Sequence, residues 1–418
     1  MRILWVKANK LLPAHSGGNI RSYQILRYLA SKHDLVFLSY YDGAPDCEYE
    51  QELKREFPGA VCFCTGVRRS TFLKRVVDYL SRLPSQLPYA VSRFRSDQVH
   101  DRLKTWFRKR HFDVAVCDFL DAAVNFPEQV AIPTVLFQHN VESEIWRRLA
   151  LAERNPITRL LYRVEFNKML SYEQRMVRRF PRIVAVSEHD RQLMSQWTDS
   201  FRITVVPTGV DLRLYSPDRE PRTRAPLVLF VGAMDWEPNV DAVEYFCAGI
   251  WPLIRVKVPA ARFRIVGRNP VRRVQRLASD SVEVTGSVPS IVDHLRESAV
   301  VVVPLRVGGG TRLKIYEAMA AGKAVVSTSI GAEGLDVHHD EDIVLADEPE
   351  AFASAVAMLL DNLELRHRYE RAAAAVAAKY DWGVIAGRFA QVLENFVGAK
   401  SLGDADQAEA VHAIGVHG

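Results

Sequence analysis

The residues that follow a run of valines at 299–305 combine backbone freedom with positive charge. Three glycines and a threonine lead into a helix-forming segment with two cations and one carboxylate: Gly308, Gly309, Gly310, Thr311, Arg312, Lys314 and Glu317. Glycine has no Cβ, so backbone amides in such a loop can come close to a ligand. We expect that ligand to be a phosphate, because a helix N-terminus and two cations all favour negative charge.

Each charged residue of this segment suits a different part of a nucleotide. Arg312 has a planar fork that fits two phosphate oxygens, and Lys314 adds a second positive charge. Glu317 only accepts hydrogen bonds when ionised, so we expect it to bind the two hydroxyls of a ribose. The alternative is a glycine-rich turn with both cations on a solvated helix face. The spacing excludes a P-loop and a G-x-G-x-x-G dinucleotide fingerprint.

Apolar runs of strand length alternate with amphipathic segments, which predicts parallel, doubly wound α/β sheets. The first half has six such runs, at 2–7, 34–40, 60–64, 113–118, 134–138 and 182–187. The second half has six more, at 226–232, 262–267, 281–286, 299–305, 324–328 and 342–346. Ligands bind beyond the carboxyl ends of such strands, where the glycine loop is placed.

A chain of 418 residues exceeds what one hydrophobic core usually supports. We expect an N-terminal domain over 1–207, a linker over 208–226 and a C-terminal domain over 227–380. The linker assignment depends on three prolines, mixed charge and the absence of an apolar period at 212–226. A closing helix at 381–398 and a disordered tail at 399–418 complete the expected organisation.

Two more candidate sites lie where predicted strands of the first half end. His139 follows the strand at 134–138 and is either a ligand contact or a histidine packed at a strand end. Gly17 and Gly18 follow the first strand and precede a helix. They fit a diphosphate or acceptor contact, or an ordinary turn between strand and helix.

Composition narrows the class of protein. A net charge of +5 is small for this length and does not indicate a nucleic-acid partner. The five cysteines have no metal-ligand spacing, and no apolar run approaches the roughly 18 residues of a membrane span. We therefore expect a reduced, cytoplasmic protein without metal or other cofactor. The basic, aromatic-rich segment 68–110 suits either a solvated helix face or contact with the anionic inner face of a membrane.

The segment "PLRVGGGTRLKIYEAMAAGKAVVSTSIGAEGL" resembles the nucleotide-sugar loop and helix of retaining glycosyltransferase family 4, which has the GT-B architecture. It is most similar to bacterial polysaccharide-cluster sugar transferases with a GGGTR loop. The resemblance continues in other segments: "SGGNIR", "FQHNVES", "AVSEHDRQLM", "PTGVDLRLYSP", "FVGAMDWEPNVDAVEYF" and "YDWGVIAGRF".

This resemblance implies two Rossmann-like domains that face each other across a cleft, an acceptor-binding domain over 1–207 and a nucleotide-sugar-binding domain over 227–380. The implied activity is retaining, metal-independent transfer of a sugar from a nucleoside-diphosphate sugar to a hydroxyl acceptor, which a lipid can carry, in polysaccharide or glycolipid synthesis. Arg312, Lys314 and His139 are then catalytic, with His139 touching the donor sugar. The donor-binding set is Gly308, Gly309, Gly310, Thr311, Glu317, Gly232, Gly17 and Gly18. A nucleotide-sugar epimerase of similar architecture and a non-catalytic nucleotide-sugar-binding protein are the alternatives.

Two places depart from the family pattern. Gly309 stands where most members have a glutamate that contacts the donor sugar, so the choice of sugar is not carried over. Ala233, after Gly232, replaces an arginine of the family, and Pro238 replaces a lysine. We therefore expect the donor diphosphate to depend more heavily on the two cations after the glycine loop.

Overall fold

The computed structural model describes residues 1–14, 16–66, 77–79, 81–109, 111–153, 155–217, 225–307 and 312–414. The glycine loop at 308–311 lies outside the described residues, as do 68–76, 80 and 110 of the basic segment. Contacts between Cα atoms divide the chain into two compact units. The first unit is Met1–Val206 with Ile385–Gly418, and the second is Pro207–Val384.

The first unit contains a seven-stranded sheet with the order β3-β2-β1-β4-β5-β6-β7, and all its strand pairs are parallel. Its strands are β1 (Arg2–Ala8), β2 (Asp34–Tyr41), β3 (Ala60–Cys64), β4 (Val114–Asp118), β5 (Thr134–Phe137), β6 (Arg182–Ala185) and β7 (Ile203–Val205). The first six lie within two residues of the predicted runs, and β7 is an addition. The central strand β4 is buried along its whole length, because both faces of a parallel sheet are covered.

Five of the eight helices described in this unit begin at a residue whose side chain caps them. The eight helices are α1 (Gly17–Ala30), α2 (Cys47–Glu56), α3 (Tyr89–Ser92), α4 (Asp97–Arg108), α5 (Leu120–Ala123), α6 (Glu142–Ala152), α7 (Pro156–Arg179) and α8 (Glu188–Met194). The Ser16 side chain caps α1, and Ser187 caps α8 by accepting from the Asp190 amide at 3.0 Å. Asn155 caps α7, which has proline at its first position.

The second unit contains a six-stranded parallel sheet with the order β10-β9-β8-β11-β12-β13. Its strands are β8 (Leu227–Val231), β9 (Arg262–Val266), β10 (Val282–Gly286), β11 (Val300–Val303), β12 (Ala324–Ser327) and β13 (Val344–Leu345). All six were predicted from the sequence. Both units are thus Rossmann-like, and the predicted fold class of two parallel-sheet domains is confirmed.

The helices of the second unit lie between these strands and after them. They are α9 (Glu237–Tyr245), α10 (Trp251–Lys257), α11 (Arg272–Gln275), α12 (Val292–Glu297), α13 (Leu313–Ala320), α14 (Pro349–Asp361) and α15 (Leu363–Ala377). None of the helices in the described residues is long and apolar enough to cross a membrane.

Two segments differ from the sequence-based expectation. Residues 208–217 of the expected linker are packed within the second unit, where Val210 bridges to Asp381 and Tyr215 is buried. Residues 218–224 lie outside the described residues. The last helix, α16 (Trp382–Ile414), continues past residue 398, where the predicted closing helix ends. The disordered tail at 399–418 stays a prediction. The alanines of this stretch are strong helix formers, which the polar composition concealed.

Candidate functional site

Both sheets have a topological switch point, which is the place where the strand order reverses. The connections from the two strands there lead to opposite sides of the sheet. The switch point lies between β1 and β4 in the first unit and between β8 and β11 in the second. Ligands of such sheets bind beyond the carboxyl ends of the strands at that point. Polar residues are concentrated there in both units.

In the second unit, Gly232 follows β8 and lies beside Asn239 and Lys314. A Cβ added to Gly232 would lie 2.7 Å from Asn239 Nδ2 and 3.0 Å from Lys314 Nζ. The first distance is shorter than real Cβ contacts and the second is tighter than most of them, so a larger residue here would displace these two side chains. Gly232 therefore acts by permitting the approach of Lys314 to the end of β8.

Lys314 is held by a neutral partner. Its Nζ donates to Asn239 Oδ1 at 2.8 Å and lies 4.3 Å from the ring centroid of Phe230. Asn239 is buried, and its Nδ2 donates to the Ala233 carbonyl at 2.9 Å. Burial lowers the pKa of Lys314 to about 7, and the neighbouring Arg312 charge acts in the same direction. A bound phosphate would supply the negative charge that stabilises its ammonium form.

Glu317 lies one turn further along α13. Its Oε1 accepts a hydrogen bond from the Tyr215 hydroxyl at 3.0 Å. Burial raises the pKa of Glu317 to about 6, although Tyr215 and Lys314 both favour its ionised form. Around pH 7 the carboxyl group is therefore chiefly ionised and can accept hydrogen bonds from ligand hydroxyls.

Arg312 occupies the N-cap position of α13 and is 5% exposed. Its charge acts on Lys314, so the two cations are neighbours at the start of this helix. Unpaired amides and the helix dipole add to the positive potential there. The start of α13 thus combines two cations with a carboxylate one turn away.

The first unit has a buried charge network at its own switch point. Asp118 ends β4, and its Oδ1 lies 2.6 Å from His139 Nε2. Its Oδ2 accepts from Trp5 Nε1 at 2.9 Å and lies 3.2 Å from Lys7 Nζ. Arg21 on α1 completes the network, with NH1 2.8 Å from His139 Nδ1.

The partners of His139 determine its protonation. Arginine has no acceptor, so Arg21 donates to Nδ1, and the ring proton is on Nε2 and is donated to Asp118. Burial lowers the pKa of His139 to about 4, although Asp118 acts in the opposite direction. Burial alone would raise the pKa of Asp118, but Lys7 and His139 lower it below its usual range. The histidine is therefore neutral between an anion and a cation.

A second buried carboxylate holds the loop that carries His139. Glu173 on α7 accepts from Gln138 Nε2 at 3.0 Å and from the backbone amides of Glu142 and Ser143, each at 3.0 Å. The Ser143 hydroxyl donates to the same carboxylate at 2.5 Å. Burial raises the pKa of Glu173 to about 7, and these donors oppose that shift. Hydrogen bonds to Glu173 thus hold the loop after β5 on both sides of His139.

Comparison with known proteins agrees with this architecture. Residues 15–214 match Glycosyltransferase Family 4, and residues 225–362 match Glycosyl transferases group 1. The two matches follow the two units in order. The chain belongs to the group 1 and family 4 glycosyltransferases.

Similar proteins include the phosphatidyl-myo-inositol mannosyltransferase of Mycobacterium tuberculosis. It is 29% identical over 232 residues, which cover 52% of this glycosyltransferase chain and 60% of that protein. The Mycolicibacterium smegmatis protein of the same name is 25% identical over 331 residues, which cover 75% and 80%. The crystal structure of Anabaena HepE in complex with UDP has a TM-score of 0.64 at 15% identity, covering 94% of this chain and all of HepE, which shows a shared fold.

The structure brings together part of the predicted donor site of this glycosyltransferase. Gly232 and Lys314 are in close approach, and Arg312 and Glu317 both act electrostatically on Lys314. Gly308, Gly309, Gly310 and Thr311 lie outside the described residues. The roles of all these residues in binding and catalysis stay predictions.

The surroundings of the predicted site residues in the first unit give less support for a binding role. His139 is packed with both ring nitrogens engaged inside the unit, so a sugar contact through its side chain would have to displace Arg21 or Asp118. Gly17 and Gly18 are the first residues of α1. A Cβ at Gly17 would meet nothing within 4 Å, and one at Gly18 would lie 3.7 Å from His139 Nδ1, an ordinary contact. Packing therefore does not require glycine at either position.

Sequence reasoning missed Asn239, Asp118 and Tyr215. Asp118 had a usable signal, because it is an acid at the end of a buried strand. Asn239 follows Pro238, the position at which the sequence has proline in place of the family's lysine. The departure at Pro238 drew attention away from its neighbour. Tyr215 lies in the segment assigned to a linker. In the part of the chain that the structure describes, no cluster of three or more His, Cys, Asp or Glu side chains could hold a metal ion.

Proposed function

We propose that this protein transfers a sugar from a nucleoside-diphosphate sugar to a hydroxyl acceptor, with retention of anomeric configuration and without a metal ion. Family membership supports glycosyl transfer as the reaction. The arrangement of charges in the second unit supports the binding of an anionic donor. The observation that carries the proposal is the position of Lys314, held by Asn239 beside Gly232 at the switch point of the sheet. A cation with a neutral partner at that point suits an anionic ligand.

The donor would be held in three parts. Arg312 and Lys314 face the diphosphate, together with the amides of the glycine loop. Glu317 accepts hydrogen bonds from the ribose hydroxyls, and Tyr215 fixes its carboxylate. Gly309 in place of the family's glutamate leaves the sugar itself undetermined.

The chemical step needs stabilisation of a departing anion. The bond between the anomeric carbon and the diphosphate oxygen breaks, and its electron pair goes to the diphosphate. Arg312 and Lys314 stabilise the growing charge. The acceptor oxygen bonds to the same face of the anomeric carbon and gives its proton to a donor phosphate oxygen. His139 is an unsuitable base, because its Nδ1 accepts from Arg21 and its pKa is lowered to about 4.

A lipid-linked acceptor at the cytoplasmic face of a membrane is part of this proposal, as is a role in polysaccharide or glycolipid synthesis. The similarity to phosphatidyl-myo-inositol mannosyltransferases supports a lipid acceptor. The predicted membrane segment 68–110 is only partly described. In its described part, Phe94 and Phe107 are buried in the core, and Asp97 and Asp101 are exposed. Those aromatic rings are therefore unsuited to membrane contact.

Incubation with labelled nucleotide sugars and a cell lipid extract tests the proposal. We expect label to move from the nucleotide to a lipid-extractable or soluble acceptor, with the anomeric configuration retained in the product by NMR. Formation of a new nucleotide sugar without an acceptor would indicate an epimerase. Binding without either reaction would indicate a non-catalytic binding protein. The Lys314→Ala variant provides a matched control without the proposed diphosphate cation.

Nucleotide binding can be tested without knowing the acceptor. UDP, GDP, ADP and TDP are compared by thermal unfolding, and the correct nucleotide should stabilise the folded protein by roughly 2.7 kcal/mol at a hundredfold excess over its Kd. EDTA should leave this shift unchanged. Absence of a shift with all four nucleotides would contradict the donor site.

A further inference from the structure

The helical hairpin of α6 and α7 presents an unusual cluster of apolar side chains at its turn. Leu151, Ile157 and Leu160 are 66%, 72% and 60% exposed. They are three of the eleven large apolar side chains that are exposed in the described residues, and they lie within ten positions of one another. Single exposed apolar residues are ordinary, but a local cluster indicates an interaction surface.

The hairpin itself is well packed, so this exposure belongs to a defined surface. Trp146 on α6 and Tyr162 on α7 lie with ring centroids 5.9 Å apart. The turn between the helices is short, and Asn155 caps α7 by accepting from the Ile157 and Thr158 amides. The apolar cluster is therefore held at the end of a rigid element.

The outward side of α7 continues this surface with positive charge. Its exposed residues recur every three or four positions and share one face of the helix: Leu160, Arg163, Asn167, Ser171, Arg175 and Arg178. The acids of α7 point elsewhere, since Glu165 is 3% exposed and Glu173 is fully buried. We call the apolar turn and this stripe together the hairpin face. Every exposed charge that α7 contributes to it is an arginine.

The acids of α6 do not reverse this charge. Glu144 is mostly buried and forms ion pairs with Arg147 and Arg148 at 2.6 and 2.9 Å. Along α7 the arginines extend over about 22 Å, at 1.5 Å per residue from Arg163 to Arg178. A flat anionic surface would contact all of them at once.

We propose that the hairpin face binds an anionic lipid bilayer. The apolar turn enters the headgroup region, and the arginines of α7 lie against lipid phosphates. Apolar residues beside a basic helix face are the composition of interfacial membrane-binding helices. Each arginine near such a surface contributes about a fivefold gain in binding, which is the factor for about 1 kcal/mol.

The test is flotation of the full chain with vesicles of phosphatidylcholine alone or mixed with phosphatidylglycerol. We expect binding only to the mixed vesicles, weakened by high salt. The triple variant Leu151→Ser, Ile157→Ser and Leu160→Ser should bind at least tenfold more weakly. Arg163→Gln with Arg175→Gln should lose about fivefold per arginine. The matched control is Val256→Ser, which changes an 81% exposed apolar residue of the second unit and should bind as wild type.

Several outcomes would overturn the proposal. Binding that both hairpin variants retain would place the membrane contact elsewhere, for example in the segment 68–110. Equal binding to both vesicle types, or binding to neither, would remove the bilayer as the occupant. Self-association that the triple variant abolishes, without vesicle binding, would make the hairpin face a protein interface. Circular dichroism and nucleotide-induced stabilisation verify that each variant is folded.

Discussion

The two units share a sheet topology, but the charged side chains at their switch points have different kinds of partner. In the first unit Asp118 contacts His139 and Lys7. Arg21 lies at the other side of the histidine, where the charges of the buried Asp190 and of Asp118 both stabilise it. Two buried cations are thus matched by two buried carboxylates. In the second unit the Lys314 ammonium has only the amide of Asn239 as its hydrogen-bond acceptor among the described residues. One cluster is neutralised by its own members, and the other can receive an anion.

Both clusters contain cations, so the number of charges does not distinguish them. They differ in whether each cation has a carboxylate partner inside the protein. A buried cation that already has a carboxylate partner gains little from a ligand and loses much when the carboxylate is removed. A cation with a neutral partner behaves in the opposite way. The comparison therefore predicts that substitutions in the first unit chiefly change stability and those in the second unit chiefly change catalysis.

The largest expected effect is on the stability of the first unit. Asp118→Ala would leave Lys7 and Arg21, 7% and 3% exposed, without this carboxylate. We expect a loss of about 3–5 kcal/mol in the free energy of unfolding, measured by urea denaturation. Lys314→Met provides the comparison in the second unit and should change stability by less than about 1 kcal/mol. Similar losses for both variants would contradict the distinction between the units.

The next effect is on turnover. Removal of Arg312 or Lys314 takes away a charge-assisted hydrogen bond, which costs about 1.5–3 kcal/mol, or about 10- to 100-fold in rate. The charge grows as the glycosidic bond breaks, so Arg312→Ala and Lys314→Ala should lower kcat more than they weaken donor binding. Steady-state kinetics and donor titrations measure the two quantities. Folded variants with near wild-type turnover would show that the glycine loop is only a turn.

The pH dependence of kcat/KM tests the state of Lys314. Because its pKa is lowered to about 7, the ammonium form is lost as pH rises through 7, and kcat/KM should fall with it. Lys314→Arg keeps its charge and should abolish this alkaline decline. Asn239→Asp places a carboxylate beside Lys314, in addition to Glu317, and should move the decline upward by about 1–3 pH units. An unchanged profile in both variants would exclude Lys314 as the titrating group.

The smallest expected effect concerns the ribose contact. Glu317→Gln should weaken donor binding by about 3- to 10-fold, the value of an ordinary hydrogen bond, and leave kcat at saturation nearly unchanged. The reason is that a ribose contact is present in both the ground state and the transition state. Tyr215→Phe removes only the donor that fixes Glu317 and should have a weaker effect of the same kind. A selective loss of kcat in Glu317→Gln would instead place this residue at the reacting centre.

Much of the fold followed from local pattern. The valines at 300–303 predicted a strand because a strand buried on both faces needs apolar residues at every position. The strand β7 was missed because it has only three residues, Ile203–Val205, and two of them are partly exposed. Residues 208–217, predicted as part of a linker, pack within the second unit, and prolines and charges hid the buried Tyr215.

The sequence by itself determined the two α/β domains, the order of their strands along the chain and the candidate donor segment around Lys314. These depend on hydrophobic period, on glycine and on charge, which are properties of neighbouring residues. Only the tertiary structure decided which charges are balanced. Asp118 and His139 are 21 positions apart, and Asn239 and Lys314 are 75 apart. Sheet pairing and helix packing bring these side chains together, so no local pattern could show that one cluster is closed and the other is open to a ligand.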